Sequence, residues 1–417
     1  MDSMAIRGGK ILNGETIASG AKNSALPLLF STLLAEGEHI FHNVPLLKDI
    51  ESTCLLLNLF GCETKHEGHT LRVKVNRLKS LEANYDIVRK MRASILCLGP
   101  LVAKYGEAQV SLPGGCAIGT RPIDLHLDGL KVLGAEIHQE QGYVVAKSKK
   151  LKGADILFET PTVGGTENLM MAASLADGTT RIENAAKEPE IVDLAEYLNK
   201  MGAKISGAGT SIIKIVGVNE LKPAEHTVIS DRIEVGTLLI AGAITGGEVT
   251  IKKCVPEHLS TLVEKMRESG FQISKGGDFL TVHACKKWQG VDITTAPHPG
   301  FPTDLQAQFM ALMTQAEGTS VISETIFENR FMHVQELVRL GANITPKTRV
   351  AVVRGTPGKL EGAPVMATDL RASACLVLAG LVAKNETLVN RIYHLDRGYE
   401  RLEDKLTHLG ASIVRKK

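Results

Sequence analysis

One phrase recurs six times along this chain of 417 residues: an apolar helix face, then Gly, a small or apolar residue, a variable residue, and an apolar or β-branched one. It appears as Leu59-Phe60-Gly61-Cys62, Leu133-Gly134-Ala135-Glu136-Ile137 and Met201-Gly202-Ala203-Lys204-Ile205. It returns as Ser269-Gly270-Phe271-Gln272-Ile273, Leu340-Gly341-Ala342-Asn343-Ile344 and Leu409-Gly410-Ala411-Ser412-Ile413. The six glycines follow one another at intervals of 73, 68, 68, 71 and 69 residues, which makes the chain an internal repeat. In each copy Gly reads as a helix C-cap, where φ > 0 carries no Cβ penalty, and the β-branched residue after it starts a strand.

The rest of each copy follows suit. A helix rich in small and apolar residues comes first, expected at Ser24–Leu34, Ala93–Val102, Leu169–Leu175, Gly236–Ile244, Gln306–Met313 and Ala372–Val382. A strand follows, such as Glu38–Asn43, Thr179–Asn184 or Glu248–Lys253, and then an amphipathic helix such as Asp49–Leu59 or Ile191–Met201. The alternation gives an α/β architecture, with the first helices as the buried ones and room for one or two further strands per copy. Six units exceed what one core holds, so three per domain are expected. The expected first domain is residues 21–229, and the second is residues 1–20 plus 230–417. Strand-like Lys10–Leu12 and Glu15–Ala18 would complete the second domain. A cleft between two such domains is a usual place for a substrate.

Charge narrows the partners. Lys plus Arg number 48 and Asp plus Glu 46, a net of +2, which argues against nucleic acid or an anionic membrane as the main partner. Ten Phe, six Tyr and one Trp leave few rings for stacking on bases. The longest clean apolar stretch, Ala374–Ala383, is too short for a bilayer, and Met1-Asp2-Ser3-Met4 carries no secretory pattern, so a cytoplasmic protein is expected. Seven cysteines without a C-x-x-C pair suggest neither a disulfide framework nor a structural zinc site. No metal, no cofactor and no obligate protein partner are expected.

Polar residues recur just before the first helix of every unit, among them Lys22-Asn23, Arg92, Asp231-Arg232, Asp304 and Asp369 with Arg371. Asp and Asn there are explained in part as caps. Lys and Arg oppose the helix dipole, so Lys22, Arg92 and Arg371 point to a shared anion site, with solvated surface cations as the alternative. A second signal is the run Pro113-Gly114-Gly115-Cys116-Ala117-Ile118-Gly119-Thr120-Arg121-Pro122. Its glycines describe a mobile loop, and Cys116 stands near Arg121 and a helix start, both of which favour thiolate. The other cysteines read as small buried hydrophobes. A third element, Pro297-His298-Pro299-Gly300-Phe301-Pro302-Thr303-Asp304-Leu305-Gln306, delivers Asp304 rigidly to a helix start. Asp304 reads there as an N-cap or as a fixed general base, and the residues alone favour the cap.

These stretches closely resemble the UDP-N-acetylglucosamine enolpyruvyl transferase (1-carboxyvinyltransferase) family. The resemblance rests on Ser19-Gly20-Ala21-Lys22-Asn23-Ser24-Ala25-Leu26-Pro27, the Pro113–Leu127 loop and Glu188-Pro189-Glu190-Ile191-Val192-Asp193. It continues through Phe301–Gln308, Phe327–Val334, Asp369–Ala374 and Asp396-Arg397-Gly398-Tyr399-Glu400, and so covers essentially the whole chain in order. It implies a two-domain inside-out α/β barrel built from six repeats. The implied reaction moves the enolpyruvyl group of phosphoenolpyruvate onto the 3′-hydroxyl of UDP-N-acetylglucosamine, releasing phosphate, at the start of peptidoglycan synthesis.

The resemblance also implies roles. Cys116 matches the loop cysteine that protonates C3 of phosphoenolpyruvate and forms an adduct with it, and Asp304 matches the carboxylate that takes the 3′-hydroxyl proton. Lys22, Arg121 and Arg397 match the cations on phosphoenolpyruvate, and Arg371 a cation near its carboxylate. Asn23 and Arg92 match sugar-nucleotide and closure contacts. Arg121, Pro122, Ile123, Asp124 and Leu125 match a uridine-side segment. Thr160, Pro161, Thr162, Val163, Gly164 and Ile326 match further nucleotide contacts. Thr160-Pro161-Thr162 departs from the Lys or Arg and Ser of many relatives, so a basic contact is missing there while Thr162 keeps a hydroxyl. Cys116 implies sensitivity to an epoxide such as fosfomycin. The sister family acting on shikimate 3-phosphate generally lacks the Pro-Gly-Gly-Cys loop, and this weighs against it.

Overall fold

The computed structural model describes residues 2–89, 91–112 and 123–416. The Cys116 loop, with Arg121 and Pro122, lies outside the described residues. Six four-stranded sheets are present among the described residues, and they share one plan. In the third repeat, Asp155–Leu157 runs parallel to Thr179–Glu183. Thr179–Glu183 pairs antiparallel with Ile212–Val216, which in turn pairs with Lys204–Ser206. Between these strands lie the helices Val163–Ala173 and Pro189–Lys200. Each repeat therefore has the expected order helix, strand, helix, strand, and the room left for one or two further strands is filled by one strand that completes a hairpin and one that precedes the first helix.

The hairpins begin where the repeated glycine ends the second helix. Gly61, Gly134, Gly202, Gly270, Gly341 and Gly410 all have φ between 91° and 109°, the left-handed region that the C-cap reading requires. The preceding strand ends one residue earlier than expected in three repeats. Asn43, Asn184 and Lys253 have φ of 58°, 54° and 55°, so they leave the sheet and do not end a strand.

The first helices are apolar on all sides and accordingly lie inside. Twelve of the thirteen residues of Arg232–Ile244 are buried, as is every residue of Gln306–Met313. The strands outside them alternate buried and exposed residues, as in Thr179–Glu183 and Ile212–Val216, so each sheet covers helices with one face and meets water with the other. The implied inside-out barrel thus consists of discrete sheets around helices, with no closed ring of strands among the described residues.

Two compact units result. One takes the described chain from Gly20 to Ile229, and the other joins the segment up to Ser19 with the chain from Ser230 onward. Each has its own continuous apolar core. In the second unit the N-terminal segment supplies two strands. Asn13–Ile17 lies parallel to Glu248–Lys252, and Ser3–Arg7 sits between Glu386–Asn390 and Ser412–Lys416, antiparallel to both. The strand expected at Glu15–Ala18 is thus found as Asn13–Ile17, and the one expected at Lys10–Leu12 is corrected. Leu12 is buried in the connection between the two strands, and the short run Met4-Ala5-Ile6, buried on both faces, carries the one that periodicity does not reveal.

Backbone crowding explains one glycine of the Ser19–Pro27 stretch. A Cβ on Gly20 would stand 1.7 Å from the Asn43 carbonyl oxygen. By contrast nothing lies within 4 Å of a Cβ on Gly202, where only the φ of 105° opposes a side chain. Gly202→Ala is expected to cost about 1–2 kcal/mol of stability from backbone strain alone. Gly20→Ala is expected to cost more, because the Asn43 backbone must move, and denaturant midpoints of the two variants check the order.

Candidate active site

In the unit spanning Gly20 to Ile229, Lys22 opens the helix Lys22–Ser31 and its Nζ lies 3.0 Å from Asp49 Oδ2, both side chains buried. The next residue, Asn23, is exposed. Ser24 Oγ donates to Asp193, which also receives His226 Nε2 at 2.8 Å, so the Glu188–Asp193 stretch anchors the first turn that carries Lys22 and Asn23. A lysine at this helix start is therefore balanced by a carboxylate from the following helix, a partner the sequence reading did not assign.

Arg92 opens the turn Arg92–Cys97 and stands close enough to His126 for its charge to be felt there. Burial, reinforced by Arg92, lowers the His126 imidazole to about 4. Asn168 fixes the tautomer. Its Oδ1 accepts from Gly99 N at 2.7 Å and its Nδ2 donates to Ile95 O at 3.3 Å, so the same amide nitrogen donates to His126 Nδ1 at 3.0 Å. The imidazole packs on Gly164, where an added Cβ would meet His126 Cε1 at 3.1 Å. Arg92 and Gly164 are thus brought to one place by His126, which the sequence reading left out.

Thr160, Pro161 and Val163 are exposed and Thr162 and Gly164 half-buried. Thr162 Oγ1 accepts from Gly165 N at 3.2 Å and so caps the helix Val163–Ala173. Its hydroxyl proton stays available as a donor. Ile123, buried, precedes the helix Asp124–Val132, with Asp124 exposed and Leu125 half-buried at its start.

In the other unit the sequence reading of Asp304 as an N-cap is corrected. Asp231 and Asp369 do cap their helices, each accepting from two backbone N–H groups. The Asp304 carboxylate caps nothing: Oδ1 receives Arg330 Nη2 at 2.9 Å, and Oδ2 receives Arg371 Nη2 at 2.8 Å and Nε at 3.1 Å. Two guanidiniums, each side chain only 4% exposed, outbid local capping. Burial alone would raise the Asp304 carboxyl, but the charges and hydrogen bonds of Arg371 and Arg330 reverse that and hold it well below the usual carboxylate range.

Arg330 was not among the residues expected at the site, although it belongs to the Phe327–Val334 stretch. It lies over the Phe327 ring at 5.3 Å, as Arg371 lies over Tyr399 at 5.3 Å. Nη1 of Arg330 and Nη1 of Arg371 are both buried without a hydrogen-bond partner among the described residues. Leaving charged donors unpaired costs about 1–3 kcal/mol each, so a further acceptor at these atoms would be favoured. Burial keeps the adjacent His333 neutral, lowering it to about 4 with Asp369 opposing and Arg330 reinforcing. Arg397 ends the turn Ile392–Arg397, half-buried, and its charge contributes to lowering His394. Ile326 lies two residues after Glu324, whose carboxylate accepts its backbone N–H at 2.8 Å.

Lys22 and Arg92 belong to one unit and Arg371 and Arg397 to the other. Cys116, Arg121 and Pro122 lie outside the described residues. Five of the described cysteines are held as thiols by burial, which raises Cys97 and Cys375 and pushes Cys54 and Cys254 up to about 11 and Cys62 up to about 12. Among the described residues no helix is long and apolar enough to cross a membrane.

Comparison with known proteins accords with this arrangement. The family model for EPSP synthase (3-phosphoshikimate 1-carboxyvinyltransferase) matches residues 6–406. A UDP-N-acetylglucosamine 1-carboxyvinyltransferase of Bdellovibrio bacteriovorus is 71% identical over 412 residues, covering 99% of this chain and 100% of its own. Its namesake in Myxococcus xanthus is 59% identical over 420 residues, with both chains covered completely. Among solved structures, the enolpyruvyl transferase NikO from Streptomyces tendae superposes with a TM-score of 0.90 at 26% identity, over 100% of this chain and 99% of that one. An EPSP synthase from Acinetobacter baumannii shares the fold, with a TM-score of 0.77 at 18% identity and full coverage of both chains. The six-sheet architecture is that of the enolpyruvyl transferases, and the chain belongs to the UDP-N-acetylglucosamine 1-carboxyvinyltransferase family.

Proposed function

We propose that the protein transfers the enolpyruvyl group of phosphoenolpyruvate to the 3′-hydroxyl of UDP-N-acetylglucosamine and releases phosphate, supplying peptidoglycan synthesis. The observation that carries this reading is the Asp304 carboxylate between two buried guanidiniums that still hold donors unpaired among the described residues. Such a site places a base beside a socket for a substrate anion.

In the reaction, a proton is added at C3 of phosphoenolpyruvate, a role assigned to Cys116. The acceptor oxygen then bonds to C2, and its proton passes to Asp304. Loss of the C3 proton with cleavage of the C2–O bond to phosphate restores the double bond. Lys22, Arg121 and Arg397 are assigned to the anionic phosphoenolpyruvate, where contacts that strengthen as phosphate departs lower the barrier. Arg371 and Arg330 are assigned to its carboxylate through the unpaired Nη1 atoms. Asn23, Arg92 and Ile326 are assigned to the sugar nucleotide, together with the segments Arg121–Leu125 and Thr160–Gly164. The missing basic residue in the latter is offset in part by the Thr162 hydroxyl.

The geometry adds a condition. A carboxylate gripped by two arginines is a weak base, so Asp304 accepts a proton only when a guanidinium shifts part of its bonding to another anion. The phosphoenolpyruvate carboxylate is such an anion. Binding of phosphoenolpyruvate therefore prepares the base for the acceptor hydroxyl.

Three measurements check these assignments. Phosphate release should occur with phosphoenolpyruvate and UDP-N-acetylglucosamine, and release with shikimate 3-phosphate as the better acceptor would transfer the protein to the sister activity. Asp304→Asn should lower kcat by about 100-fold or more while KM changes little, whereas a change confined to KM would make Asp304 a binding residue. Arg330→Met removes one cation that depresses Asp304, so its carboxyl rises and the acid limb of kcat/KM against pH moves to higher pH. An unmoved limb assigns the base to another group.

A further inference from the structure

The repeat provides an internal control for what the site adds to the fold. At the end of the strand after the first helix, Asn43, Asn184, Lys253 and Arg391 occupy the same place in four repeats, each with φ between 54° and 59°. Where the residue is Asn it makes a single tie to the neighbouring parallel strand: Asn43 Nδ2 donates to Val228 O and Asn184 Nδ2 to Phe158 O, both at 2.9 Å. In the fifth repeat this place, after Thr319–Ser323, is taken by Glu324, which is 1% exposed. Its Oε1 accepts from Thr295 Oγ1 at 2.9 Å, beside the parallel strand Ile293–Thr294, and so retains the tie of the other repeats. Three further bonds have no counterpart in the Asn43 and Asn184 ties. Oε1 also accepts from Ile326 N at 2.8 Å and Phe327 N at 3.1 Å, and Oε2 accepts from Thr303 Oγ1 at 2.8 Å.

Those additions reach the two segments that build the site. Thr303 precedes Asp304 in the turn Thr303–Leu305, and Ile326 and Phe327 lead into Arg330. We propose that Glu324 is a positioning residue for the transfer reaction, holding the turn that carries Asp304 in register with the segment that carries Ile326 and Arg330. The proposal rests on the reading of Asp304 as the group that takes the acceptor's proton. A carboxylate suits the task because it is acceptor-only and satisfies four donors at once, which an asparagine at this place does not.

The link to Asp304 runs through one hydroxyl, so Thr303 is the place to cut it. With phosphoenolpyruvate and UDP-N-acetylglucosamine as substrates, Thr303→Val is expected to lower kcat about 10-fold, with both KM values within about threefold of the wild type. Thr303→Ser, which keeps the hydroxyl, is expected to restore kcat to within about twofold, and Thr303→Ala replaces the valine variant should that one not fold. In an Asp304→Asn background the loss of the Thr303 hydroxyl is expected to change the residual kcat by less than about twofold, since the two residues act as one unit. Equal kcat in the serine and valine (or alanine) variants would overturn the proposal. So would a loss that carries over undiminished into the Asp304→Asn background, because a residue that only supports the fold adds its effect independently. Absence of turnover in the wild type with these substrates is read first, and it rejects the substrate assignment rather than the role of Glu324.

Discussion

Helices that are apolar on every side can stand in a water-soluble fold only if something else meets the solvent, and this constraint shapes the whole chain. In each unit the first helices of the repeats pack inside, and four-stranded sheets with one wet face cover them. Helices buried along their length offer only their ends for polar work. The N-terminal turns accordingly carry Lys22 and Arg92 in one unit and Asp304 and Arg371 in the other, so charged groups gather at the helix ends of each core.

Charge at those ends is handled by pairing. Lys22 faces Asp49, and Arg371 with Arg330 faces Asp304. Pairing lets cations sit at helix N-termini, against the dipole, in a chain of net charge +2. A buried pair of this kind contributes little to net stability, because desolvation offsets attraction. What it provides is a set of cations already desolvated and oriented, with donors left over. The neutral states of His126 and His333 fit the same logic, since a second cation beside Arg92 or Arg330 would add repulsion next to a guanidinium.

Local rules made much of this legible. The repeated glycine betrays itself because only a residue without Cβ takes φ near 100° at low cost, and the buried helices because no polar stripe interrupts them. What stayed hidden depends on contacts distant in sequence. Ser3–Arg7 is a strand only because residues almost 400 positions later flank it on both sides. Asp304 looked like a cap because the sequence shows its helix and not Arg330 or Arg371. Arg330 escaped notice since it opens no helix, and its signal was confined to a stretch that counted toward resemblance alone. Glu324 left a fainter trace: it is the acidic residue at a place where two other repeats carry Asn, and only alignment of the repeats brings that out.

The strand Ser3–Arg7 has a consequence for how the molecule is made. Its sheet is completed by Glu386–Asn390 and Ser412–Lys416, and Asp2 lies 3.8 Å from Arg415. During synthesis Ser3–Arg7 must therefore wait, unpaired, until Glu386–Asn390 and Ser412–Lys416 emerge, whereas the unit from Gly20 to Ile229 can finish its own core long before. Maturation is thus sequential, and the last repeat acts as the clasp that is fastened only when the ribosome has delivered both of its halves.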